Sequence, residues 1–211
     1  MIAYLSFGEL PSWLALESLP RLVSETGIEV ELAPLLVSLG NVVQKAKPGE
    51  DDPLAEYKVR RARARRMTAE RERERMCEML GIDRQLAERT INPLMLSLGL
   101  LWLKEGQHEF DICLDYAVTA FRKTFIDNAD VESEAAVTGM LESMNVTGDG
   151  FGAFVGETSE SFMSRAEELL ENGILSAPAF IVDGEIFHGR EHLPLITWML
   201  TGGQGRLPTL R

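Results

Sequence analysis

The stretch Gly173-Ile-Leu-Ser-Ala-Pro-Ala-Phe-Ile-Val-Asp-Gly-Glu-Ile-Phe-His-Gly189 decides how this chain folds. Phe180 to Val182 is a run of aromatic and β-branched residues, Asp183-Gly184 is a pair favoured in tight hairpin turns, and Glu185 to His188 resumes an apolar alternation. Two antiparallel strands joined by a two-residue turn follow from that pattern. Pro178 stands just before the first strand. A residue that cannot donate to a ladder is tolerated there, either at a strand's first position or in a cis bond, and an ordinary trans proline fits the same residues. The acidic segment Ser159 to Asn172 has helical spacing and leads into this unit, and the amphipathic segment Glu191 to Leu200 leads out of it.

With 211 residues, 45% hydrophobic and 26% charged, the chain can bury a substantial core as one domain or as two coupled lobes. Its net charge of −12 opposes nonspecific binding to nucleic acid or to an acidic membrane, because the field of the whole protein repels polyanions. No apolar run reaches the ~18 residues of a membrane span, and Leu94 to Leu103 reads as a buried helix. Met1 to Phe7 has no basic flank, and Glu9 and Pro11 interrupt it before a signal-peptide core forms, so a cytoplasmic location is expected. Cys77 and Cys113 lie far apart, neither in a CxxC pair, and are expected to be free thiols.

At the other end, Ile2 to Phe7 alternates as a strand. Pro11 suits a first helical turn, and Trp13, Leu14, Leu16, Leu19, Leu22 and Val23 recur at helical spacing until Gly27, with Pro20 expected to kink that helix or loosen one turn of it. Ile28 to Leu36 reads as a second strand, giving a β-α-β opening that favours a parallel crossover.

The phrase Phe7-Gly-Glu-Leu-Pro-Ser-Trp-Leu-Ala15, with Leu19-Pro20 and Pro34-Leu-Leu36, is similar to the Phe-x-Ser-Pro-Tyr-Ser-Trp/Tyr-Leu-Ala opening of 2-hydroxychromene-2-carboxylate isomerases and kappa-class glutathione transferases. These families belong to the DsbA-like branch of the thioredoxin superfamily. The stretch from Gly173 to Gly189 likewise resembles the C-terminal half of a thioredoxin fold, whose cis-proline faces the active site. The resemblance implies an α/β thioredoxin fold of the DsbA-like kind with an inserted α-helical domain. Residues 1–45 would form the first half of the thioredoxin fold, 46–172 the helical domain and 173–211 the second half.

The middle of the chain is consistent with such an insertion. Gln44 to Pro53 is a polar connection. A long charged helix follows, in which eight of the sixteen residues from Arg60 to Arg75 are arginine. It reads as an exposed helix with interleaved Glu70, Glu72 and Glu74, as an anion patch, or as a face closing over the active site to meet an acidic substrate. Ile91-Asn-Pro93 starts an apolar helix, with Asn92 as its cap. Phe110 to Phe125, Val131 to Met144, Gly148 to Val155 and Ser159 to Asn172 read as further helices, and Gly202 to Arg211 as a loose tail.

Redox members of the superfamily place CxxC at the start of the first helix. Here those positions are Glu9-Leu-Pro-Ser12, so dithiol exchange by that route is excluded. The resemblance implies a serine holding a glutathione thiolate at the position that Glu9 occupies. A carboxylate ionised by the helix dipole there would repel a thiolate by about 1 to 4 kcal/mol in a partly screened site, which disfavours ordinary glutathione activation. Glu9 is then either a carboxyl kept protonated by an apolar pocket, a general base acting directly on substrate, or a helix-terminus residue in a repurposed site. Ser12 is the nearby hydroxyl and the second catalytic candidate. By the resemblance, Ala177 and Pro178 correspond to the backbone that grips the glutathione cysteinyl part, and Arg190 and Glu191 to the pair that meets its γ-glutamyl end. Family positions in the loop after strand two fall near Lys45 and Leu54. His188 reads as a hydrogen-bonded structural residue, and neither it nor His108 belongs to a metal-ligand cluster.

Two functions stay open. One is an enzyme resembling the isomerase or kappa transferase families, acting on a small aromatic or electrophilic acid, with glutathione as the cofactor the resemblance implies and a homodimer as the expected assembly. The other is a binding protein that kept the scaffold without redox or transferase chemistry.

Overall fold

The computed structural model describes residues 1–36 and 54–208. The sheet has four strands: β1 (Ile2–Leu5), β2 (Glu31–Pro34), β3 (Ala179–Val182) and β4 (Glu185–His188), in the order β2-β1-β3-β4. β1 and β2 pair in parallel with Ile2 opposite Glu31, while β3 runs antiparallel to both β1 and β4, with Tyr4 opposite Ala179 and Val182 opposite Glu185. The turn between β3 and β4 takes the left-handed backbone at both central residues, with φ of 49° at Asp183 and 84° at Gly184. That twist matches the flanking strands.

Between β1 and β2 the sequence suggests one kinked helix, and the structure has two: α1 (Leu10–Leu16) and α2 (Leu19–Thr26). A proline inside a continuous helix would lack its N–H and crowd the carbonyl four residues back, so the chain breaks at Glu17-Ser18 and Pro20 takes the first turn of α2. Both strands of this unit are shorter than the apolar runs that predict them.

The inserted lobe holds α3 (Ala55–Leu80), α4 (Arg84–Ala87), α5 (Leu94–Glu105), α6 (Phe110–Phe125), α7 (Glu134–Ser143) and α8 (Phe151–Glu171). Asn92, expected as the cap of α5, lies one residue before the Pro93 N-cap and accepts the Leu94 N–H at 3.1 Å, and Ser133 caps α7 through the Ala136 N–H. The two helices expected over 148–172 are one. Phe151, Phe154 and Phe162 are buried along α8, and the Ser159 hydroxyl donates within the helix to the Val155 carbonyl, so packing overrides the weak helix formers between them. After β4 come a 3₁₀ turn (Arg190–His192) and α9 (Leu193–Leu200). The expected loose tail is partly held: Gly203 N–H donates to the Trp198 carbonyl at 2.9 Å and Trp198 Nε1 donates to the Gln204 carbonyl at 3.0 Å. The connection Gln44 to Pro53 lies outside the described residues.

The larger of two hydrophobic clusters runs through both parts, and the smaller gathers Tyr4, Ala33, Leu35, Ile174 and Ala179. Leu5, Phe7 and Trp13 from the thioredoxin half pack with Tyr116, Phe121 and Phe125 of α6. Trp13 stacks on Phe121 at 5.8 Å, and Phe7 meets Tyr116 edge-on at 6.1 Å and 86°. These rings fix where β1 ends and α1 begins.

Candidate active site

The junction of β1 and α1 is a tight turn closed by its own hydrogen bonds. Glu9 N–H donates to the Ser6 carbonyl at 3.0 Å, and Ser12 N–H donates to the Glu9 carbonyl at 2.9 Å. Ser6 N–H donates to Ser12 Oγ at 3.1 Å. Ser12 is fully buried, so its hydroxyl is committed to the backbone of this turn. Ser12 thus braces this turn by accepting the Ser6 N–H.

Glu9 stands before the first turn of α1, yet its carboxylate makes no capping hydrogen bond. The side chain borders a cleft of about 150 Å³, walled by Ser6, Gly8 and Glu9 on one side and by Arg73, Arg89, Thr90 and Ile91 on the other. Burial pushes the Glu9 carboxyl above its ordinary value, and the Arg73 guanidinium partly offsets this. Burial disfavours the charged form of a carboxyl, and the nearby guanidinium favours it; here burial is the larger of the two. Arg73 is exposed and has no carboxylate bridge among the described residues, whereas Arg89 donates from Nη1 to the Thr124 carbonyl at 3.3 Å.

Helix α3 supplies the opposite wall because its C-terminal part packs on α1, burying Met76 and Cys77. The two ends of the arginine-rich helix differ in their surroundings. From Leu54 to Arg71 the helix is exposed at every described side chain, and at Arg73 it meets the cleft. Arg73 and Arg89 are the site residues that sequence reasoning did not single out. The arginines recur all round the helix, so no periodicity marks one of them.

The remaining candidates lie elsewhere. The Ala177–Pro178 bond is cis, Pro178 is buried, and its carbonyl accepts the Gly189 N–H at 2.8 Å. Extending the β1–β3 register brings Pro178 beside Leu5, at the end of β1 from which Glu9 follows. Neither Ala177 nor Pro178 lines the Glu9 cleft. Arg190 and Glu191 do not line it either: Arg190 Nη2 lies 3.7 Å from Glu72 Oε1 on α3, and the exposed Glu191 folds its carboxylate back over Gly189. Arg190 therefore has a carboxylate partner already. His188 accepts the Leu175 N–H through Nε2 at 3.1 Å, a structural bond. Cys77 and Cys113 are free, buried thiols whose pKa values burial raises, which makes them poor nucleophiles. Lys45 is outside the described residues, and Leu54 is exposed at the start of α3. Among the described residues no cluster of three or more His, Cys, Asp or Glu could hold a metal, and no helix is long and apolar enough to cross a membrane.

The strand order, the antiparallel C-terminal hairpin and the helical lobe inserted between β2 and β3 define a DsbA-like thioredoxin fold. Solved structures match it over nearly its whole length. A 2-hydroxychromene-2-carboxylate isomerase superposes with a TM-score of 0.62 at 16% identity, covering 95% of both chains. A probable DsbA oxidoreductase from Streptomyces coelicolor gives 0.65 at 15% identity, over 99% of this chain and 92% of the other. A candidate protein disulfide isomerase from Nitrosomonas europaea gives 0.60 at 11% identity, over 96% and 98%. No protein-family model matches the chain, and no curated protein matches it in sequence.

Proposed function

We propose that this chain is an isomerase-like enzyme acting on a small aromatic or electrophilic acid, with Glu9 as the group that moves a proton on the substrate. One observation carries this reading: a half-buried carboxyl with a raised pKa shares a small cleft with an unbridged arginine. A carboxyl whose pKa burial raises holds a proton more readily than a solvated one, and can take a proton from one substrate atom and return it to another with no net consumption of acid, base or electrons. Arg73 offers a planar cation for the substrate's carboxylate. The fold's likeness to 2-hydroxychromene-2-carboxylate isomerase makes that acid the first substrate to try. With Glu9 at the position of the thiolate-holding serine, glutathione becomes dispensable.

The test has two arms. Thermal unfolding with glutathione is expected to stay flat to millimolar ligand, because a binder would raise stability as RT ln(1 + [L]/Kd). Turnover of 2-hydroxychromene-2-carboxylate and a panel of small aromatic acids is followed by absorbance. Glu9→Gln should lower kcat by about 10²- to 10⁴-fold, and Arg73→Ala should chiefly raise KM, with Arg73→Lys restoring part of it. Wild-type turnover in Glu9→Gln would refute the role of Glu9. An inert parent across the panel would favour the non-catalytic binding protein.

A further inference from the structure

A second cleft, about 300 Å³, lies between the β2 side of the sheet and helix α8, away from Glu9. Tyr4 and Ala33 form its floor, Leu101 and Lys104 of α5 one side, and Phe162 and Arg165 of α8 the other. The α8 positions that reach it, 158, 161, 162, 165 and 169, recur every three or four residues and so share one face of the helix. A helix laid on a sheet normally presents an apolar stripe. Phe162 and Leu169 supply one here, but Thr158, Ser161 and Arg165 interrupt it, and the helix leaves a gap over the strands.

Three features make this gap a built site. Tyr4 is only 6% exposed, and its hydroxyl has no hydrogen-bond partner among the described residues. Tyr4 lines the cleft. Without a protein partner, that hydroxyl is available to bond a ligand oxygen. The Lys104 ammonium is bonded to Glu31, which neutralises that pair. Arg165 is exposed and makes no ion pair among the described residues, so its guanidinium can take a carboxylate beside the apolar floor; the exposed Glu105, also without an ion pair among them, is the second unbridged charge of the lining.

We propose that this cleft binds a small amphipathic carboxylic acid. Its carboxylate would take the Arg165 fork and the Tyr4 hydroxyl, and its hydrocarbon body would lie on Ala33, Leu101 and Phe162. The volume is about twice that of a cavity that holds benzene, room for a chain of roughly eight carbons. The site is independent of the Glu9 chemistry.

Octanoate is the probe, titrated into the full chain and followed by amide NMR, with 1-octanol as the uncharged control. Saturable shifts are expected at Tyr4, Ala33, Leu101, Phe162 and Arg165. Tyr4→Phe and Arg165→Ala should each weaken binding by about fivefold or more, and 1-octanol should bind more weakly still. Glu9→Gln should bind octanoate as the parent does. Shifts confined to Gly8, Glu9 and Thr90, no saturation by 10-millimolar-order octanoate, or parental affinity in both variants would overturn the proposal. Arg165 is exposed, so its substitution leaves the fold intact if Tyr4→Phe does not.

Discussion

Replacing Gly99 with alanine asks whether the inserted helical lobe and the Glu9 turn are one packed body. A methyl carbon built on Gly99 would sit 2.0 Å from Tyr116 Oη, 2.7 Å from its Cζ and 2.7 Å from Val137 Cγ1. Tyr116 is fully buried, donates to the Leu96 carbonyl at 3.0 Å, and presses edge-on against Phe7, two residues before Glu9. The ring cannot swing into solvent, so either it moves off Leu96 or α5 parts from α6. Overpacking costs about 1–3 kcal/mol, and a buried phenol left without its acceptor about 1–3 kcal/mol more. Alanine's helix propensity returns about 1 kcal/mol. The net is a destabilisation of roughly 3 kcal/mol, or a Tm lower by about 6–12 °C for a chain of this size. Urea unfolding by circular dichroism and tryptophan fluorescence should show this in one coincident transition. Tyr116→Phe removes the nearest atom, so Gly99→Ala should cost at least about 1 kcal/mol less in that background. A Gly99→Ala protein within about 0.5 kcal/mol of the parent, simple additivity of the two changes, or two separate transitions would refute the reasoning.

Glu9→Gln should alter stability in a pH-dependent way. The folded protein holds the Glu9 proton more tightly than the unfolded chain does, so its contribution is complete below the unfolded value of 4.5 and is lost as pH rises through the folded pKa. The stability difference between variant and parent should therefore shift in favour of glutamine from pH 4 towards neutrality; a difference independent of pH would contradict the burial of that carboxyl. Ser12→Ala should cost about 1–3 kcal/mol by orphaning the buried Ser6 N–H, seen as a lower urea midpoint, whereas loss of turnover at unchanged stability would restore Ser12 as a catalyst. Gly184→Ala, at φ +84°, should lower stability by about 1–2 kcal/mol, and a neutral result would mean that the turn takes another form.

Particular elements show which parts of the molecule were legible in advance. The Asp183-Gly184 turn and its strands follow from two adjacent residues and a period of two. Helix α6 appears with the bounds its apolar spacing predicts, Phe110 to Phe125. The division at Pro20 was half legible: proline marks the break, but whether the chain bends or starts a new helix depends on how Leu16 and Leu19 are both buried. The continuity of α8 through Gly156 and Ser159 was not legible, because its three buried phenylalanines meet partners from distant parts of the chain.

The sequence by itself determined the thioredoxin scaffold, the absence of paired cysteines at the first helix and the presence of a carboxylate in their place. Those are matters of local periodicity, turn chemistry and residue identity. Only the tertiary structure decided that Glu9 is desolvated, that Arg73 and not Arg190 shares its cleft, that Ser12 accepts the Ser6 N–H, and that Tyr4 lines a second cleft. The reason is that desolvation and Coulomb terms depend on which distant side chains arrive within a few ångströms, and no local pattern encodes that distance.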